Sequence, residues 1–238
     1  IRLSGSNDST VSGNTADHNS EAGIYLTSGS TRNQIVGNVT AYNARGYVRA
    51  APGIDVRSSG NTFTNNVSHH NEDTGLQFYT GAGNDLIVNN VCHDNGDHGI
   101  DNLNASGQRI IGNTVYKNVT AGINLEGSSG GGTVVNNISV DNGINSPRTK
   151  SNVRVDSNSV PGATVDSNLV YLTQSSLMYT WGSTSYTSLS AFRAATGQEP
   201  PRRIATDQDG RYVFRDVEPG LWRVLPARPV LDADSRQW

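Results

Sequence analysis

The chain of 238 residues is rich in glycine (26) and poor in charge (16%), and its 34% hydrophobic content is low for a globular core. A net charge of −3 without a basic run gives no support for a nucleic-acid partner, no apolar stretch reaches membrane-spanning length, and no signal peptide is expected within these residues. The single cysteine, Cys92, excludes an internal disulfide framework and falls at a position that other repeats fill with small residues.

The first element, Ile1-Arg2-Leu3, aligns with Ile24-Tyr25-Leu26, so the chain opens inside a repeat without an N-terminal cap and is expected to be separated from upstream sequence. Asparagine followed five residues later by asparagine then recurs six times, at Asn14/Asn19, Asn38/Asn43, Asn66/Asn71, Asn90/Asn95, Asn113/Asn118 and Asn137/Asn142. The leading asparagines lie 24, 28, 24, 23 and 24 residues apart, a period that means stacked structural units. Three residues before each stands an apolar side chain (Val11, Ile35, Phe63, Ile87, Ile110, Val134), and Val165 before Asn168 is a fainter seventh copy. Each unit continues through a small turn residue into an alternating strand, as in Gly53-Ile54-Asp55-Val56 and Gly75-Leu76-Gln77-Phe78. Alternation sends Ile and Leu inward and the intervening polar residues outward, and stacking at roughly 4.8 Å per coil buries apolar faces too short to bury themselves. The pattern is an all-β solenoid of about 7 coils over residues 1–176.

Asparagine suits the corners because it tolerates unusual backbone angles and its amide can bond to the same amide one coil away. Of the four glycosylation sequons, at Asn38, Asn66, Asn118 and Asn137, three begin at a leading asparagine of the repeat, and they are expected to be false positives.

Two coils carry excess residues at the turn entering the alternating strand, 44–52 and 143–151, and both insertions are basic. Insertions in repeat proteins map to a binding face. The outward column of that strand reads Tyr25, Asp55, Gln77, Asp101, Asn124 and Arg154, and the next outward column includes Arg57, Tyr79, Leu103 and Glu126. Asp73 and Asp97 stack in the turns just before it, so Asp55, Asp73, Asp97 and Asp101 form an acidic cluster flanked by Arg49, Arg57 and His98. The competing reading is a solvated face of weak ion pairs. On another strand, His69 and His93 align one coil apart with His70 and Asp94 following, either a transition-metal set or an exposed polar stack.

After about Ser176 the repeat dissolves. A short helix over residues 188–195 stops at Gly197, two strands are expected around Tyr212-Val213-Phe214 and residues 221–225, and residues 177–238 form an irregular C-terminal cap.

The Ile-x-Leu, Ile-x-x-Asn-x4-Asn and Gly repeat resembles the right-handed parallel β-helix superfamily of pectate lyase-like proteins, which implies a single-stranded right-handed parallel β-helix. Residues 226–233 resemble the tail that closes many bacterial members. The resemblance implies a secreted, monomeric protein acting on an acidic polysaccharide, as a lyase or epimerase ahead of a hydrolase, with a noncatalytic carbohydrate- or surface-binding module as the alternative. It also implies calcium held by acidic residues, here Asp73 and Asp97. Proton abstraction from a uronate requires a base and a neutralised carboxylate. His98, Tyr79, Asp101 and Asp55 are the catalytic candidates, and Arg49, Arg57, Tyr47, Gln77 and Arg154 the substrate-binding ones. For hydrolysis, Asp55 and Asp101 would sit two coils apart, roughly 9 to 10 Å, which favours inversion.

Overall fold

The computed structural model describes residues 1–46 and 51–200, together with the strands Ala205–Thr206 and Tyr212–Val213. Tyr47, Arg49, Phe214 and the expected strand and tail at 221–225 and 226–233 lie outside the described residues. Residues 1–200 form one compact unit and 201–238 another, in which the two short strands pair antiparallel.

Each coil of the first unit is built from three short strands that stack into three parallel sheets. The first sheet runs from Arg2–Ser4 through Ile24–Thr27, Ile54–Val56, Leu76–Phe78, Ile100–Leu103, Ile123–Glu126 and Val153–Val155. Parallel pairing then continues past Ser176 into Tyr179–Trp181, and only the following strand, Thr184–Tyr186, turns antiparallel. The second and third sheets hold seven strands each, from Thr10–Ser12 to Thr164–Asp166 and from Thr15–Asp17 to Leu169–Tyr171. The alternation places Ile24, Ile54, Leu76, Ile100, Ile123 and Val153 in one buried column, with Phe63, Ile87 and Ile110 facing them from the second sheet. Cys92 fills the slot between Ser68 and Val115 on the third sheet, and burial pushes its thiol far up, as befits a packing residue.

The asparagines form two continuous ladders. The leading one runs Asn14, Asn38, Asn66, Asn90, Asn113, Asn137, Asn168, each amide oxygen from Asn38 onward accepting from the backbone N–H and side-chain amide of the rung before it. The amides are not satisfied by one another alone, because each interior amide also donates to a backbone carbonyl, as Asn90 does to Phe63 at 3.0 Å. Nor does the ladder residue itself take the unusual backbone angle. The left-handed residue is the one before it, such as Gly37, Asn65, Asn89 and Gly112 in the leading series and Tyr42, His70, Asp94 and Lys117 in the other. The second ladder, Asn19 to Asn142, ends on Asn152, so the 143–151 insertion is spliced out between two consecutive rungs. All four sequon asparagines are buried rungs.

A third ladder at the corner between the first and second sheets escaped the sequence pattern because its rungs differ: Asn33, Asn61, Asp85 and Gln108. Burial pushes the Asp85 carboxyl up to about 6 against the N–H groups of Asn61, Gly83 and Gln108 that bond it. Glycine at the start of the first-sheet strands is required by crowding, since a Cβ on Gly53 would lie 2.1 Å from Ser68 Oγ.

The expected helix forms at Leu189–Thr196, with Ser188 accepting from Ala191 N–H at its start and Gly197 in the left-handed region at its end. Phe192 stacks on Tyr179 at 4.1 Å over the last core column, and Glu199 accepts the backbone and amide N–H of Asn168, terminating the leading ladder. Replacing Asn90 by Ala leaves the two N–H groups of Asn66 that bond its amide oxygen without that acceptor in the interior. We expect Asn90→Ala to lose at least about 3 kcal/mol and Asn14→Ala, whose amide oxygen accepts from no described donor, under about 1 kcal/mol, as read from urea unfolding; equal losses would contradict a cooperative ladder.

Candidate functional site

The outward column of the first sheet is the centre of a groove. Register places Tyr25, Asp55, Gln77, Asp101, Asn124 and Arg154 side by side, as the alternation predicts. Asp55, Gln77, Asp101 and Asn124 are nevertheless buried. The cause is the turn that enters each strand, which in coils Glu72 to Thr74 and Gly96 to His98 stands beside the column and, with Arg148 and Thr149 of the second insertion, walls a depression of about 630 Å³. A second depression of about 480 Å³, lined by Tyr25, Pro52, Asp55 and Arg57, shares Asp73 and Gln77 with it, so the two form one trough along the coils.

At one end of the trough Arg57 pairs with Asp55 at 3.2 Å and lies between the rings of Tyr25 and Tyr79, 5.9 and 5.0 Å from their centroids. Burial works to lower the Arg57 guanidinium, but the hydrogen bond and charge of Asp55 reverse that and hold it above its ordinary value. At the other end Arg154 donates through Nη1 to Asn124 Oδ1 at 2.7 Å and to Glu126 at 2.8 Å, so each guanidinium is anchored by a carboxylate while one of its Nη groups lies outside these bonds.

Between them sits His98. Its neighbours fix its tautomer, because the Thr120 hydroxyl has one proton and gives it to Asp97 Oδ1 at 2.5 Å. The hydroxyl oxygen must then accept from His98 Nδ1 at 2.7 Å, with the Ala121 carbonyl also near at 3.3 Å. Nε2 is left with its lone pair, facing the Asn124 amide at 3.3 Å and lying 3.6 Å from Asp97 Oδ1. A proton taken up by Nε2 therefore arrives beside a carboxylate, the arrangement that supports a general base. Thr120 is the member that sequence reasoning missed; it stands two residues before Gly122, as Asp97 stands before Gly99 and Asp73 before Gly75, and counting back from the glycines would have found it.

Asp101 accepts from Asn124 at 2.7 Å, and burial pushes its carboxyl up to about 6 despite the nearby His98. One ligand atom each of His98, Asp101 and Glu126 lies within 4.8 Å of the others, a mixed nitrogen and oxygen set. Tyr79 is raised by burial and then by the charge of Asp101, so its hydroxyl stays protonated. Asp73 and Asp97 stack as expected, with the Asp97 N–H on the Asp73 carbonyl at 3.2 Å. Burial first and the Asp97 charge second raise the Asp73 carboxyl. Asp97 is also held by Arg148 from the second insertion at 2.9 Å. A hard cation between the two would find carboxylate oxygens on both, with Arg148 yielding one of those on Asp97. The sequence grouped Asp55 and Asp101 with this pair; the structure instead ties Asp55 to Arg57 and Asp101 to Asn124.

Among the described residues no helix is long and apolar enough to cross a membrane. Residues 40–192 match the family described as the right handed beta helix region. No curated protein matches the sequence. Among solved structures, the Dettilon tailspike protein is similar over 69% of this chain and 40% of its own, with 18% identity and a TM-score of 0.51. Pectate lyase Pel9A is similar over 71% of this chain and 52% of its own, with 22% identity and a TM-score of 0.52. The chain thus spans about half or less of the length of each. With three parallel sheets wound through seven coils and a family match across most of them, the chain belongs to the right-handed β-helix family.

Proposed function

We propose that this chain acts outside the cell, as a monomer, on an acidic polysaccharide laid along the trough of the first sheet, abstracting the proton α to a uronate carboxylate as a lyase or epimerase. The observation that carries this reading is His98, lining the trough and held by Thr120 as the Nδ1–H tautomer, so that Nε2 keeps its lone pair and meets the Asn124 amide at 3.3 Å. Similarity in fold to a pectate lyase supports the substrate class. Arg57 and Arg154 supply positive charge for substrate carboxylates, Asp55 orients Arg57, and Gln77 offers an amide between them. In this reading Tyr79, which lines the trough and is kept neutral, protonates the leaving oxygen. Where calcium binds, Asp73 and Asp97 hold it and it supplies further neutralisation of the substrate carboxylate.

A second reading rests on Asp101 and Glu126. One carboxyl is raised by burial while the other is held by Arg154, with oxygens within 4.8 Å, close to the separation of about 5 Å used by retaining glycosidases. This pair replaces the more distant Asp55 and Asp101 as the hydrolytic alternative.

Incubation with a panel of acidic polysaccharides, with calcium and with a chelator, separates the readings. A rise in unsaturated-uronate absorbance that falls by about 10²-fold or more in His98→Asn and less in Thr120→Val supports elimination. New reducing ends without absorbance point to the carboxylate pair. Binding without unsaturated product, new reducing ends or inverted uronate configuration leaves a noncatalytic module and removes the enzyme reading.

Asp101 also links the site to stability. Raising its carboxyl from 3.8 to about 6 means that the folded state holds this proton more tightly than the unfolded chain. The associated stability is complete below about pH 4 and is lost as pH rises through about 6. An amide at this position cannot ionise. Asp101→Asn is expected to be more stable than the wild type at pH 7.5 by up to about 3 kcal/mol, with the difference vanishing below pH 4. Parallel pH profiles of the two urea midpoints would show that the buried carboxyl is not strained.

A further inference from the structure

We propose that His70, His93 and Asp94 form a binding site for a divalent transition-metal cation of the Zn²⁺ class on the outer face of the third sheet, independent of the trough and its chemistry. One ligand atom from each lies within 4.8 Å of the others. Four of the chain's five histidines, His18, His69, His70 and His93, lie along this one stripe.

The backbone puts them there. His69 and His93 pair in register on adjacent third-sheet strands, and their side chains point away from the core. His70 and Asp94 follow at φ of 54° and 52°, the left-handed residues that precede the buried rungs Asn71 and Asn95. Equivalent turns one coil apart project their side chains in the same direction, roughly 4.8 Å from one another. The ladder therefore holds the three ligands at a fixed spacing before any metal arrives.

The rings are also oriented. His93 stacks between His69 at 4.9 Å and Tyr116 at 4.6 Å, and its Nδ1 lies 2.7 Å from Asp94 Oδ2. His70 stacks on Tyr42 at 5.0 Å and shares a hydrogen bond between its Nδ1 and that of His69 at 2.9 Å. Outer partners of this kind fix ring planes around metal-ligating histidines. Two imidazoles and a carboxylate match a borderline cation and leave a fourth tetrahedral position open to water, whereas calcium prefers oxygen alone. At bond lengths of about 2.0 to 2.2 Å, tetrahedral ligand atoms stand about 3.3 Å apart, a spacing reached by small side-chain rotations. The proton shared by His93 and Asp94 then leaves for the other ring nitrogen or for solvent.

The test uses the chain without a polyhistidine tag, titrated with Zn²⁺ by calorimetry and with Co²⁺ followed by its visible absorbance. One equivalent should bind, with Zn²⁺ raising the melting temperature. His70→Asn and Asp94→Asn should each weaken binding at least about tenfold while preserving the turn, because asparagine accepts the left-handed conformation. Glu126→Gln, which alters the mixed cluster in the trough, should leave binding unchanged. The site is refuted if the wild type shows no saturable binding, if both asparagine variants bind as tightly as it does, or if Glu126→Gln abolishes binding.

Discussion

The amide ladder is the constraint on which the rest of the structure depends. Each rung accepts two N–H groups from one neighbouring coil and donates to the next rung and to a backbone carbonyl, so coils can stack only in one register. A solenoid of three-residue strands has little else to prevent slippage, because a shift of one residue would turn every core side chain outward. The ladder also dictates where irregularity goes. The nine residues between Asn142 and Asn152 leave and return without disturbing the rung between them, and the excess projects over the trough as the segment carrying Arg148.

Fixed register converts sequence positions into columns, and columns generate the electrostatics of the trough. Residues that a flat sheet would leave in water are here covered by adjacent turns, so Asp101 and Asp73 are raised by burial while Arg57 and Arg154 are tied to carboxylates. Burying this many polar groups is unfavourable for folding, and the core columns beneath must offset it. Asn102 is the point of greatest tension: it occupies an otherwise apolar inward slot directly beneath the trough, and its Oδ1 has no hydrogen-bond partner among the described residues. Nothing in the fold requires an amide there.

Much of this was legible in the sequence because the repeating chemistry is local. Asparagine spacing, glycine before the strand and alternating Ile and Leu each report one backbone requirement, so they identified the coils, the core columns and the register that brings Asp55, Gln77 and Asp101 together. What was not legible depends on contacts between coils. The Asn33, Asn61, Asp85 and Gln108 ladder uses three residue types for one geometric role, which spacing alone cannot detect. Glu199 completes the leading ladder from a segment with no repeat at all, because a carboxylate accepts N–H groups as well as an amide oxygen does. Burial of the outward column arises from the height of the neighbouring turns, a property that strand alternation does not encode. The Thr120 hydroxyl matters only through the proton it must choose where to give.

The separation between scaffold and variable surface follows from the same corner geometry. At each ladder corner two consecutive residues have opposite tasks: one takes the left-handed conformation and projects outward, and the next turns inward to become a rung. The inward position is confined to asparagine over most of the stack, since few other side chains both accept and donate in that place. The outward position carries only a backbone requirement. It is filled by His18, Tyr42, His70, Asp94, Lys117 and Asp141 in the second corner series, although left-handed angles ordinarily favour glycine or asparagine. Each such residue incurs strain of about 1 kcal/mol, and the neighbouring rung, bonded on both sides, is what holds it there. A ladder strong enough to impose that conformation on histidine and tyrosine can therefore carry a column of side chains chosen for their chemistry, stacked at the spacing of the coils.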